Sequence, residues 1–375
     1  MPLTDFPTSS RAAARAGAVL TIDTGALARN YSQLVATGAA DEVAAVIKAD
    51  GYGLGAAIVG PALWEAGARL FFVAHLDEGL DLRQILPQAR IGILNGLMPG
   101  CEADYDQASL MPVLNHPGEI QRWSRWCESI GARRPAFIHL DTAMNRLGLT
   151  WQEQEALAAD PASLGTISVA GYLSHPSSAD DAASPVLDRQ RAAFDAIRAQ
   201  LPSAPGSIAN SPAMFRQAGR GLDIARPGCA LYGVNPTPEA DNPMECVISL
   251  HARVLQVRSV RRGDAVGYGG TATADRPMTV ATLAIGYADG YLRSIGNRGK
   301  MVVNGEEVPV MGRVSMDLTT VDVTDLPLSG LAAGDWVEAI GPGMPVDRVA
   351  AAAGTIGYEI LTDLGRRYHR RVVSS

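Results

Sequence analysis

From about residue 43 to residue 235, short apolar runs recur at regular intervals with amphipathic stretches between them. Residues 43–48, 70–75, 90–94, 111–114, 135–141, 167–175, 206–209 and 223–226 each have the length and apolar content of a buried strand. The intervening segments carry helical spacing. In 119–130, Ile120, Trp123, Cys127 and Ile130 fall on one face, and in 186–201 Leu187, Phe194, Ile197 and Leu201 do the same. Eight strand-then-helix units in one run predict an α/β fold, a (β/α)8 TIM barrel, with its active site at the C-terminal strand ends. A doubly wound sheet fits less well, because no GxGxxG turn follows the first strand.

After Asn235-Pro236-Thr237-Pro238 the pattern changes. Residues 247–258 alternate loosely, and 279–285, 300–303, 307–310, 318–323 and 336–340 are further short strand candidates. Asn304-Gly305 between two of them is a hairpin turn signal. The C-terminal third is therefore expected to be a mostly-β domain, and the β-like residues 18–22 are a candidate to join its sheet. The resulting division is a mobile tail at 1–17, the barrel at 18–240 and the mostly-β domain at 241–375. The tail carries Arg11 and Arg15 but no apolar core of its own, so it does not read as a signal peptide.

The 375 residues, 47% hydrophobic and 19% charged, are enough for two domains with an ample core. A net charge of -7 counts against nucleic acid or an anionic membrane as partner, and no apolar stretch has the length of a membrane span. Cys101, Cys127, Cys229 and Cys246 are scattered, which suits neither a zinc site nor a disulfide framework. A reducing cytoplasm and no metal are the expectation.

Candidate chemistry gathers at the predicted strand ends. Lys48 follows Ala44-Ala45-Val46-Ile47 and precedes Ala49-Asp50-Gly51-Tyr52-Gly53-Leu54-Gly55. A desolvated lysine there can form a Schiff base, and the glycines let backbone approach a ligand such as phosphate. The plain alternative is a lysine that ends a strand and reaches into solvent. Arg146 can likewise be a surface charge, His175 a satisfied core histidine, and Ser211 a helix N-cap before Pro212. Together with Arg226 and the glycine-rich backbone after it, they surround one barrel mouth, which chance rarely arranges.

Val46-Ile47-Lys48-Ala49-Asp50-Gly51-Tyr52-Gly53 resembles the cofactor-lysine signature of alanine racemases, which bind pyridoxal 5'-phosphate on a barrel plus β-domain scaffold. Residues 141–148, Ala209-Asn210-Ser211, residues 226–233, Ile285-Gly286-Tyr287-Ala288-Asp289-Gly290, Gly312-Arg313-Val314-Ser315-Met316-Asp317 and Gly357-Tyr358-Glu359 are also similar to segments of that family, in family order. The resemblance runs from about residue 18 to 371. It implies a homodimer that interconverts L- and D-alanine by a two-base mechanism on the pyridoxal phosphate imine and supplies D-alanine for peptidoglycan.

The same resemblance implies the roles. Lys48 anchors the cofactor and serves one face of the substrate, and Tyr287 from the second subunit serves the other, although alone Tyr287 could be a packed aromatic. Arg226 faces the pyridine nitrogen, with His175 orienting it and touching the ring. Tyr52, Ser211, the backbone N–H groups of Gly228 and Cys229, and Tyr358 hold the phosphate, helped by a helix dipole after Ser211. Arg146 and the Met316 N–H meet the substrate carboxylate, Asp317 supports Tyr287, and Arg293 and Arg313 line the entrance.

Three positions depart from the family pattern. His139 stands where some members carry a carbamylated lysine, so Arg146 must be steadied by an anion or by His139 itself. Leu54 replaces a frequent histidine. His175-Pro176-Ser177-Ser178 lacks the usual aromatic or aliphatic residue after the histidine. Rival readings are a racemase for serine or a broader amino-acid set, and a non-catalytic pyridoxal phosphate carrier. Carriers of that kind resemble the barrel alone, and decarboxylases on a related scaffold lack the Gly-Tyr-Ala-Asp-Gly and Met-Asp segments.

Overall fold

The computed structural model describes residues 11–327 and 331–375. A short helix, Arg11–Arg15, lies within the segment expected to be a mobile tail, and the tail's first ten residues fall outside the described ones. Strand β1 (Ala18–Asp23) follows, and Asp23 caps the next helix by accepting the N–H groups of Gly25 and Ala26 at 2.9 and 3.1 Å.

The barrel begins at β2 (Ala40–Val43) and β3 (Ala45–Val46), one run interrupted at Ala44. It continues through β4 (Leu70–Val73), β5 (Arg90–Ile93), β6 (Met111–Leu114), β7 (Arg134–His139), β8 (Ile167–Leu173), β9 (Gly206–Ser207) and β10 (Leu222–Ala225). Strands β3 to β9 pair in parallel, in chain order. Strand β10 pairs in parallel with β2, the Ala44 N–H donates to Ala225 O (2.8 Å), and the Arg226 N–H donates to Ala209 O (2.8 Å). The first two join the last stave to the first, and the third joins the last stave to the end of β9, so the ring closes.

Alternation along each strand fills both sides of the wall. Ala44, Val46, Leu70, Phe72, Met111, Val113, Phe137, Leu173 and Ile224 pack inside the barrel. The residues between them, such as Ala45, Phe71, Ile91 and Ile138, belong to the outer core under the helices. Gly92 is a glycine because the Phe72 ring occupies the space a Cβ would need. Burying a Phe side chain of this kind contributes roughly 1.5–3 kcal/mol. Helix Pro117–Ser129 starts at the predicted region with Pro117 in its first turn and buries Ile120, Trp123 and Cys127. Helix Val186–Arg198 buries Leu187, Phe194 and Ile197.

The second region is mostly β. Strand β11 (Ile248–Val260) is its spine, pairing antiparallel with β1, with Trp336–Ile340 and, at its far end, with Met278–Leu283. The C-terminal strand His369–Val373 pairs in parallel with β1 on the other edge. The hairpin between Lys300–Val303 and Glu306–Pro309 turns at Asn304 (φ 51°) and Gly305 (φ 87°), as Asn-Gly requires. Helix Gly357–Asp363 leans on the barrel mouth. Gly53, at φ 81°, packs so tightly under it that a side chain there would overlap Leu361 O. Arg370 donates to the Gly53 carbonyl at 2.9 Å and ties the same junction from the C-terminal strand.

Candidate active site

Lys48 leaves the barrel wall just past β3. The last rung before it is the Ile47 N–H to Phe72 O bond at 2.9 Å. The chain then makes a left-handed turn: Ala49 (φ 55°, ψ 49°), Asp50 (52°, 50°) and Gly51 (64°, 46°), with Tyr52 also at positive φ (54°). Left-handed geometry costs roughly 1–2 kcal/mol for each residue with a Cβ, so outside bonds must hold this turn. Asp50 Oδ1 accepts the Ala56 N–H (2.7 Å), and Glu78 Oε1 accepts the Ala49 N–H (2.6 Å).

The Lys48 ammonium is pushed below its ordinary pKa first by burial and then by the charge of Arg146, with Arg226 adding to the effect and Glu78 opposing it. The same group of charges acts on two histidines. Burial, Arg226, Arg146 and Lys48 bring His175 down to about 3, and burial, Arg226 and Arg146 bring His139 down to about 4. Lys48, Arg146, His139, His175 and Arg226 therefore share one electrostatic site, with both imidazoles neutral.

Arg226 is buried (6% exposed), and burial lowers its pKa to about 10, so it remains a cation at neutral pH. Its guanidinium donates to Ser174 O (2.6 Å), to Ser207 O (3.0 Å) and, closely, to Ser207 Oγ. These neutral acceptors, not a His175 nitrogen, hydrogen-bond it: the Ser174 carbonyl just past β8, and the Ser207 carbonyl, which also accepts the Ser174 N–H (2.8 Å). The His175 carbonyl is held by Gln190 (3.1 Å).

A second group forms beside it. Asn210, not Ser211, caps helix Ser211–Met214 by accepting the Ala213 N–H (3.1 Å). That frees the buried Ser211 hydroxyl, whose oxygen accepts the N–H groups of Gly228 (2.9 Å) and Ala230 (3.2 Å). The helix is four residues long, too short for the dipole expected after Ser211 to matter much. Tyr52 stacks on Tyr232 (ring centroids 4.5 Å apart), and Tyr232 in turn donates to Val46 O (3.1 Å). A side chain on Gly228 would overlap the Tyr52 hydroxyl. Burial raises the Cys229 thiol to about 11, and Tyr52, Cys229 and the half-exposed Tyr358 feel one another's charge.

A third group sits on the β region. Tyr287, 41% exposed, begins a short turn whose N–H groups bond to Ser315 O and, through Ala288, to Met316 O (both 3.0 Å). Arg367 grips Asp289 with two nitrogens (2.6 and 2.9 Å) and Asp317 with the third (2.7 Å). Met316, Asp317, Arg293 and Arg313 are exposed. Among the described residues, no hydrogen bond or ring contact joins the Tyr287 side chain to Lys48 within one chain.

Glu78, Asn115, Ser207 and Arg367 also support these groups and were not foreseen. Each bonds a group distant in sequence that no local motif announces: the Ala49 N–H for Glu78, His139 for Asn115, Arg226 for Ser207 and Asp289 for Arg367. One signal was available: the chain has only two lysines, and the other, Lys300, is paired with Glu307 on a surface hairpin (2.8 Å).

A barrel with a desolvated lysine at its mouth, joined to a β region that carries an exposed tyrosine, defines a class of lysine-centred barrel enzymes. Residues 22–236 match the family model of the alanine racemase N-terminal domain, and 247–372 match that of the C-terminal domain. The alanine racemase of Acidiphilium cryptum is 51% identical over 95% of this chain and 98% of its own length, and that of Methylobacterium nodulans 47% identical over 95% and 96%. Among solved structures, alanine racemase from Bartonella henselae, with covalently bound pyridoxal phosphate, has a TM-score of 0.92 at 41% identity and covers 96% of this chain and 100% of that one. The biosynthetic alanine racemase of Pseudomonas aeruginosa has a TM-score of 0.88 at 33% identity over 96% and 99%. The chain belongs to the alanine racemase family.

Proposed function

We propose that this protein interconverts L- and D-alanine, with pyridoxal 5'-phosphate held covalently by Lys48. One observation carries the reading. Lys48 is desolvated at the barrel mouth and feels the charges of Arg146 and Arg226, a setting that lowers its proton affinity and favours the nucleophilic amine. The neighbouring residues fit such a cofactor. The Ser211 hydroxyl accepts the Gly228 and Ala230 N–H groups and so keeps its own proton to donate to a phosphate, and Tyr52 and Tyr358 stand beside it. Arg226 is a buried cation bonded to neutral oxygens alone, and it would be the residue to meet the pyridine nitrogen.

The cofactor supplies an electron sink that makes the α-proton of alanine removable. The chain supplies the rest. Lys48, its proton affinity lowered, moves a proton at one face of Cα. Tyr287 serves the other face from a second subunit, which suits its exposure. The guanidinium of Arg226 keeps its protons, so it does not pass one to the ring. Arg146 and the Met316 N–H receive the substrate carboxylate, and the Nε2 lone pair of His139 steadies Arg146. Asp317, fixed by Arg367, supports the Tyr287 turn, and Arg293 and Arg313 border the entrance. We place the enzyme in the cytoplasm as a homodimer that supplies D-alanine for peptidoglycan.

Chiral chromatography of L-alanine incubated with the purified protein and pyridoxal phosphate tests the reading. It predicts approach to an equal mixture of the two forms, abolished by Lys48→Ala. Absence of D-alanine with the wild-type protein overturns it.

A further inference from the structure

The left-handed turn that presents Lys48 is fastened to the neighbouring stave by one side chain. Glu78, in the first turn of helix Leu76–Ile85, accepts three backbone N–H groups. Its Oε1 takes Ala49 (2.6 Å), directly after Lys48. Its Oε2 takes Ala74 (2.7 Å) and His75 (3.0 Å), directly after β4. Strands β3 and β4 are adjacent and parallel, and their ladder ends with the Ile47–Phe72 rung. Beyond that rung the two chains diverge, one into the turn and the other into a helix, and each leaves N–H groups without ladder partners. The carboxylate bridges that fork, with one oxygen on each side. Of the turn's other bonds, Asp50 to Ala56 and Gly51 to Ile47 are made within its own segment, and Arg370 to the Gly53 carbonyl ties its far end to the C-terminal strand; none of these reaches β4.

We propose that Glu78 is a positioning residue for Lys48: its carboxylate locks the left-handed turn to the end of β4 and so sets where the lysine amine stands in proton transfer. This rests on the reading that Lys48 holds the cofactor and is one of two bases. Covalent attachment tolerates a loosened backbone, because the bond itself holds the parts together. Proton transfer depends steeply on distance and alignment, so a loosened turn slows the Lys48 step more than it weakens cofactor binding.

The test uses Glu78→Ala and Glu78→Gln holoenzymes, with rates measured in both directions on α-protiated and α-deuterated alanine. L- and D-alanine are equal in free energy, so kcat/KM must fall equally both ways, and the isotope effect is what discriminates. With the Lys48 step slowed, the α-deuterium effect rises in the direction where Lys48 takes the α-proton and falls in the direction where Tyr287 takes it. We expect at least a tenfold loss of kcat/KM in Glu78→Ala with the visible cofactor band retained. Glu78→Gln keeps one acceptor oxygen and should lose less. If Glu78→Ala does not fold, Glu78→Gln carries the same readouts. Isotope effects that stay at wild-type values in both directions, with lost activity tracking the unfolded fraction, overturn the proposal. Failure of the underlying reading looks different: wild-type holoenzyme would then give no borohydride-trapped adduct on Lys48.

Discussion

Asn115 Oδ1 lies 2.7 Å from His139 Nδ1, and this contact fixes the tautomer of the imidazole. The Asn115 amide nitrogen is committed to Val113 O (2.8 Å) and Leu94 O (3.4 Å), so its oxygen must face His139 and accept. Nδ1 therefore carries the proton, and Nε2 keeps a free lone pair. The loop bearing Arg146 leaves β7 at His139 and returns to it. Leu149 N–H bonds to His139 O (2.8 Å), and a Cβ on Gly148 would stand 3.0 Å from the ring.

That lone pair is the acceptor we assign to Arg146. A hydrogen bond to a charged group contributes roughly 1.5–3 kcal/mol. His139→Leu should therefore raise KM for alanine and Ki for acetate about tenfold or more, with the cofactor band unchanged. His139→Gln, whose amide oxygen can stand near the Nε2 position, should recover most of the loss. An unchanged KM in His139→Leu would remove His139 from this role.

Gly228 tests the phosphate cradle. Its φ of -123° is not the left-handed region that needs glycine, but a methyl added in Gly228→Ala would collide with the Tyr52 hydroxyl. Tyr52 must then leave its stack on Tyr232. Affinity for pyridoxal phosphate, read by absorbance titration of the cofactor-free protein, should fall at least tenfold with little change in Tm. Wild-type affinity would place the phosphate elsewhere.

The two neutral histidines make the cofactor-free protein acid-sensitive. His139 and His175 titrate at about 4 and about 3 when folded, against 6.5 unperturbed. Below the unfolded value the unfolded chain binds the extra protons, so stability is full above it and is lost as pH falls toward the folded values. Each histidine can cost about 1.4 kcal/mol per pH unit across that window. Tm of the cofactor-free protein should drop between pH 7 and pH 5, and His139→Gln should shrink the drop. Equal acid sensitivity in wild type and variant would contradict this.

The barrel was legible because its strands are buried on both faces and read as continuous apolar runs. The β region was legible through Asn304-Gly305 and loose alternation. Lys48 itself stood out as a cation set against an apolar strand and glycines. What supports it did not. Glu78 looks like any acidic residue in a first helical turn, and Asn115 and Ser207 look like ordinary strand-end polar residues. Each acts on a group that the fold brings near, the Ala49 N–H, the His139 ring or the Arg226 guanidinium, which no local pattern encodes. Ser211 was misread as a possible cap for the same reason, since local spacing does not separate Asn210 from Ser211 as the N-cap, and the contact to Gly228 spans the fold.

The most direct measurement is borohydride reduction of the purified yellow holoenzyme, followed by peptide mass spectrometry. With only Lys48 and Lys300 in the chain, the answer is unambiguous. The account predicts that the visible band vanishes and that one reduced phosphopyridoxyl group appears on Lys48, with Lys300 unmodified. A label on Lys300 alone, or a band that persists with no label, would contradict it.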